Sequence, residues 1–217
     1  MANATVISVT NRKGGVGKTS LSCNLAVELV AMGKRVCVLD ADPQGSATFW
    51  ASCGEGVLSK IVRPVDASDA KKFRKALDEA KRQCDRVIVD CPPSLSDASI
   101  AAMVESDIVL LPTQPSSLDI RAGMDALRLA REARKMRQGK SMGIGLVPNR
   151  MARTRLGADL LTALVTMGEK VLPPISNRSV VAESAVSGLS CREASPKSPA
   201  AQEFAALAAG VEGMIAA

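Results

Sequence analysis

Residues 13–19 read Lys13-Gly14-Gly15-Val16-Gly17-Lys18-Thr19, set between a β-branched run, Thr5–Thr10, and a helical pattern, Ser20–Met32. Glycines at 14, 15 and 17 permit a tight loop whose backbone N–H groups converge on an anion, and the helix opening near Lys18 adds the positive end of its dipole. Lys18 is long enough to reach the terminal phosphates of a nucleotide, the Thr19 hydroxyl suits Mg²⁺, and Val16 and Ser20 complete the cradle. A glycine-rich turn alone would say little. A strand before it, a helix after it and Lys-Thr at its close make it a P-loop.

Outward from this loop, short apolar runs alternate with helical periods. Val36–Leu39, Arg86–Val89, Asp107–Leu111 and Met142–Val147 read as buried strands, being short, nearly continuously apolar and bounded by turn residues. Asp69–Gln83, Ser94–Glu105, Ser117–Arg137, Arg155–Met167 and Pro199–Ile215 carry apolar residues three and four apart. Val171–Ile175 reads as an edge strand or strand end, because Pro173 and Pro174 lie inside it. The expectation is an α/β P-loop NTPase with a mainly parallel, twisted sheet and helices on both faces, since right-handed crossovers place them there. No Pro/Gly/Ser-rich linker divides the 217 residues, so 1–217 is expected to form one domain.

Two acidic segments end strands, where open α/β sheets bind ligands. Val87-Ile88-Val89-Asp90 is an apolar strand closed by a carboxylate, the pattern of a Walker B aspartate that holds the metal through water. Asp40-Ala41-Asp42-Pro43-Gln44-Gly45 follows Val36–Leu39. The chain has no histidine, so proton handling falls to carboxylates or water, and one of Asp40 and Asp42 is the candidate to orient an attacking water. Its six cysteines show no CxxC pair and no disulfide framework, which implies reduced, mostly core thiols. No run of about eighteen apolar residues and no signal-peptide pattern occurs, and a cytoplasmic protein is expected.

Net charge is +6, yet residues 120–155 hold ten Arg/Lys against Asp125 and Glu132. A basic segment on a mildly acidic body suits either a surface facing a polyanion or a solvated helix face.

Lys13 at the start of the loop, in addition to Lys18, together with Asp40–Gly45 and Val89-Asp90-Cys91-Pro92-Pro93, resembles the deviant Walker A ATPases of the ParA/MinD class. The likeness is nearest to small ParA-type partition proteins without an N-terminal DNA-binding domain. It extends through Leu111-Pro112-Thr113-Gln114-Pro115-Ser116-Ser117-Leu118-Asp119 and into the C-terminal third. The resemblance implies that Lys13 crosses an ATP-dependent homodimer to the phosphates of the other subunit. It implies that Asp42 positions the attacking water, that Asp40 is an outer-shell metal aspartate, that Asp90 is the Walker B aspartate, and that Asn149 contacts the adenine. It further implies non-specific DNA binding, nucleoid association and release by a ParB-like or equivalent stimulating protein, with slow basal turnover. Arg153 and Arg178 match arginines that hold DNA backbone in such proteins. Arg150 and Arg155, and the stripe Arg121, Arg128, Arg131 and Lys135, stand in reserve.

Two other classes share the loop. MinD-like membrane ATPases end in a basic amphipathic helix, whereas residues 205–217 hold no Lys or Arg and one Glu, so no membrane partner is expected. Nitrogenase iron proteins place cluster cysteines differently from Cys84 and Cys91, and no small-molecule acid pocket of a dethiobiotin synthetase is evident. The related alternative is an ATPase that positions another cellular cargo.

Overall fold

The computed structural model describes residues 4–93, 97–137 and 141–216. Seven strands form one sheet: β1 (Thr5–Val9), β2 (Val36–Asp40), β3 (Val62–Pro64), β4 (Arg86–Asp90), β5 (Ile108–Thr113), β6 (Gly143–Pro148) and β7 (Lys170–Val171). Their order is β3-β2-β4-β1-β5-β6-β7, and every pairing is parallel.

Alternation along the strands sorts the core into two layers. Ile7 and Val9 of β1, with Ile88 and Leu110, pack under α1 (Lys18–Ala31) and α10 (Pro199–Ala216), where Leu25, Leu29, Phe204 and Leu207 are fully buried. Val6, Val87 and Val89 face the other way onto Phe73 and Leu77 of α4 (Ala70–Gln83). Val109, Leu111 and Leu146 pack against α6 (Ser117–Met136) and α7 (Arg155–Thr166) through Leu127, Ala130, Leu160 and Leu164. Strands buried on both faces read as continuous apolar runs, which is why they are legible without a period-two signal. The expected single-domain, doubly covered parallel sheet is the observed one.

The helix α5 (Asp97–Glu105) follows β4; the expected start at Ser94 lies outside the described residues. The edge strand expected at Val171–Ile175 is shorter and shifted: β7 stops at Val171, before both prolines, and the chain runs on to an isolated bridge between Met151 and Ser176. Five elements have no counterpart in the sequence reading: α2 (Ser46–Ser52), α3 (Leu58–Ile61), β3, α8 (Ser179–Val186) and α9 (Cys191–Ala194). All six cysteines are free, four of them buried, as expected. Among the described residues no helix is long and apolar enough to cross a membrane.

Parallel pairing brings the C-terminal ends of the strands to one rim. Val9 and Asp40 are both register partners of Asp90, so the 13–19 loop, the 40–45 loop and Asp90 emerge side by side. The loops after β5 and β6 close the same rim, because Thr113 and Pro148 are paired.

Candidate nucleotide site

The loop after β1 takes its shape from Gly15 and Gly17, whose φ angles of 76° and 87° lie in the left-handed region that other residues avoid. A Cβ on Gly17 would meet Asn149 Nδ2 at 2.5 Å, so the loop also needs glycine there for close approach. Residues just beyond β5 and β6, and Lys18 itself, tie down the loop carbonyls. Gln114 Nε2 donates to Gly15 O at 2.6 Å, Asn149 Nδ2 to Val16 O at 2.7 Å, and Lys18 Nζ to Lys13 O at 3.1 Å. Below them, Asn11 bridges β1 to β5, accepting from Lys13 N and donating to Pro112 O.

Helix α1 starts from this loop with no side-chain cap and no acidic residue in its first turn. Its leading N–H groups lack intrahelical partners, which makes the end an anion seat. It opens into a cavity of about 510 Å³ lined by Gly14, Gly15, Gly17, Lys18, Thr19 and Ser20, with Asp42 opposite. Lys18 is 6% exposed, and burial lowers its pKa while Asp90 and Asp42 pull it back up. Its ammonium makes no ion pair among the described residues. A buried cation without an ion pair among the described residues, beside an uncapped helix end, fits the phosphates of a nucleotide.

Asp90 is fully buried and accepts from Thr19 Oγ1 at 2.7 Å and from Ser22 Oγ at 2.9 Å. Burial pushes its carboxyl up to about 7, with the two hydroxyls pulling the other way. A carboxylate whose charge is that costly, beside a threonine hydroxyl and a phosphate cavity, fits an oxygen-loving divalent cation such as Mg²⁺. Asp40 is spent locally: Oδ2 accepts from Thr48 N and Thr48 Oγ1, both at 2.8 Å, and Oδ1 from Asp42 N at 3.3 Å. It thereby holds α2 and shapes the turn that carries Asp42. Asp42 borders both the phosphate cavity and a neighbouring one of about 520 Å³ that Asp40, Phe49 and Asp66 also line.

Lys13 does not border the phosphate cavity. Its Nζ donates to Asp119 Oδ2 at 2.7 Å, and Asp119, which also contacts Ser116 Oγ, is buried with its Oδ1 lacking a partner among the described residues. Asn149 lines a smaller cavity of about 110 Å³ with Arg150, Arg178 and Phe204. Arg178 is paired there with Glu203 at 2.8 Å, whereas Arg153 stands exposed without a partner among the described residues. The two arginines named as DNA contacts therefore do not share one environment.

The site's outer wall comes from elements the sequence reading lacks. Phe49 and Val186 are 71% and 79% exposed and flank the cavity mouth with Trp50 and Ala185. Trp50 Nε1 donates to Leu189 O, Val57 N to Glu193 Oε1, and a Cβ on Gly188 would strike Gly54 N at 2.3 Å. Gln114 and Asp119 lie in the segment Leu111–Asp119, but only strand order reveals that they hold the loop and Lys13.

A family model described as the CobQ/CobB/MinD/ParA nucleotide binding domain matches residues 7–191. The chain is 35% identical over 190 residues to "Maintenance of carboxysome distribution protein A" of Halothiobacillus neapolitanus, 86% of each protein being covered. It is 32% identical to the "Chromosome-partitioning ATPase Soj" of Thermus thermophilus, with 93% of each covered. An ATP complex of a Cyanothece McdA variant shares its fold, with a TM-score of 0.77 at 18% identity over 100% of this chain and 98% of that one. Sequence, sheet and site agree that this chain belongs to the CobQ/CobB/MinD/ParA nucleotide-binding family, whose ParA and MinD members are ATPases.

Proposed function

We propose that the chain is a ParA-type ATPase that dimerises on ATP, binds DNA without sequence preference and couples hydrolysis to the segregation of plasmid or chromosomal DNA. The observation that carries this is the pair of lysines: Lys18 in the phosphate cavity, and Lys13 at the start of the same loop with its ammonium held by Asp119. When bound, Mg-ATP supplies a terminal phosphoryl group that water attacks to give ADP and phosphate. Lys18 and the first turn of α1 hold the phosphate charge. Thr19 and Asp90 offer oxygens to the cation, and Asp42, free on the cavity side, orients the water. Asp40 acts from behind, setting the turn that presents Asp42.

Lys13 leaves Asp119 and answers the terminal phosphate of the opposite subunit, which makes ATP the adhesive of the dimer. Phosphate and carboxylate compete for one ammonium, so ADP gives too little charge to draw it away. Each dimer presents two copies of a weak DNA-binding surface, and the protein sits on the nucleoid until a ParB-like or equivalent partner stimulates turnover. A second reading is favoured by the likeness to a carboxysome distribution protein: the same cycle positioning a protein-based cargo.

Sedimentation with ATP and with ADP tests the common core of both readings. A dimer is expected with ATP alone, and Lys13→Ala should remain monomeric while still binding nucleotide. A Lys13→Ala protein that dimerised normally on ATP would sink the assignment.

A further inference from the structure

Arg150 follows Asn149 just beyond β6 and, among the described residues, is the non-glycine residue with a positive φ, 51°. The conformation is imposed from both sides. Asn149 N donates to Thr113 O at 2.8 Å, Met151 N to Ile175 O at 2.9 Å, and Arg150 N to Asn149 Oδ1 at 3.0 Å. Glycine or asparagine would occupy this turn with less strain. Residues held in sparsely populated backbone regions cluster where function requires the side chain.

The side chain has a distinctive position. The phosphate cavity of about 510 Å³ and the adjoining cavity of about 110 Å³ share Gly17, Ser20 and Arg150, so Arg150 stands at their junction. Of the other cations there, Lys18 makes one hydrogen bond, to Lys13 O, and Arg178 is paired with Glu203. Arg150 makes no ion pair or side-chain hydrogen bond among the described residues. Arg153, three residues on, borders neither cavity. A guanidinium without an ion pair among the described residues, beside an uncapped helix end, suits an anionic ligand, and the cavities it joins are where a nucleotide's phosphate and base ends would meet.

We propose that Arg150 is a nucleotide-binding residue whose guanidinium contacts the phosphates common to ADP and ATP. This takes Arg150 away from the DNA-facing arginines with which its place in the sequence groups it, and it rests on the nucleotide reading of the site. A guanidinium suits the role because its planar fork grips two phosphate oxygens at once.

The test is equilibrium binding of ADP and of a non-hydrolysed ATP analogue to wild type, Arg150→Gly, Arg150→Ala and Lys18→Ala, with thermal unfolding measured in parallel. Arg150→Gly relieves the backbone strain, so it should unfold no earlier than wild type. It should nonetheless lose roughly ten- to hundredfold affinity for both nucleotides, as expected for hydrogen bonds to a charged group. Arg150→Ala should lose as much. Wild-type affinity in Arg150→Gly would overturn the proposal. So would a loss confined to the ATP analogue, which would place the contact at the terminal phosphate, or a loss of duplex DNA binding with nucleotide affinity intact. If wild type bound neither nucleotide, the ATPase reading would fall with it. Binding by wild type that Lys18→Ala abolishes and Arg150→Gly leaves unchanged would remove this proposal alone.

Discussion

Asp42 lies on a turn that Asp40 holds through the Asp42 N–H, and among the described residues its side chain accepts from Gln44 N alone, at 3.0 Å, which leaves it available on the cavity side. A group that positions water acts on the chemical step and not on binding. Asp42→Ala should therefore bind ATP like wild type and accumulate as dimer, while single-turnover hydrolysis falls by about 10²–10⁴-fold. Loss of nucleotide affinity with unchanged turnover per bound ATP would return Asp42 to a structural role. The residues of the 13–19 loop are legible in the sequence because their spacing is local: seven consecutive positions hold the three glycines, the threonine and both lysines. Their partners are not. Lys13 to Asp119 spans 106 residues and Gln114 to Gly15 spans 99, and contacts of that range depend on strand order. Asn149 is legible only by resemblance, and in the structure its amide nitrogen is already engaged by Val16 O.

Strands and long helices follow from the sequence because the strands are short, nearly continuous apolar runs and the helices repeat buried apolar positions three and four apart. Ser46–Ser52 and Cys191–Ala194 span two turns or fewer and give no helical period, and Val62-Arg63-Pro64 is a three-residue edge strand with two exposed positions. Short elements of this kind are set by tertiary contacts: Asp40 holds the start of α2, and Ser190 and Glu193 close a capping box on α9. Helix α10 is legible, yet its fastening is not. Glu212 pairs with Arg86 at 2.6 Å and with Lys34 at 3.6 Å, all three largely covered, linking α10 to β4 and to the end of α1. The Arg86 hydrogen bonds hold the Glu212 carboxyl below its ordinary value near 4.5, against the pull of burial. A depressed folded value means that the stabilisation is complete above about 4.5 and is lost as pH falls through the folded value. Glu212→Gln should cost about 1–2 kcal/mol at neutral pH, and urea titrations should show wild type and variant converging in acid. A constant difference down to acid pH would mean that packing, and not charge, fastens the helix.

Across the whole molecule, the basic segment proves less of a field than its composition suggests. Arg131 and Arg134 pair with Glu169, and Arg137 is buried on Asp107 and the Val104 and Ser106 carbonyls. Composition counts charges but not their partners, so the exposed, unpaired set there narrows to Arg121, Arg128, Arg150, Arg153 and Arg155 among the described residues. Of these, Arg153 is the one we propose as a contact to DNA backbone. With a non-hydrolysed ATP analogue, Arg153→Ala should weaken duplex binding evenly across sequences and flatten the log–log salt slope by about one to two units per dimer. Unchanged affinity and slope in a variant that still dimerises would direct attention to Arg121 and Arg128. The order β3-β2-β4-β1-β5-β6-β7 also governs how the protein comes off the ribosome. The central strand β1 is made first, but Thr5 meets its partner Arg86 only 81 residues later, and Ile7 waits for Ile108. At about 5–20 residues per second, its apolar residues stay unpaired for roughly 4–16 s before β4 appears. During that interval the nascent chain owns a complete phosphate loop with no sheet to hold it in shape, so nucleotide should shield from proteases only arrested chains that already extend past β5.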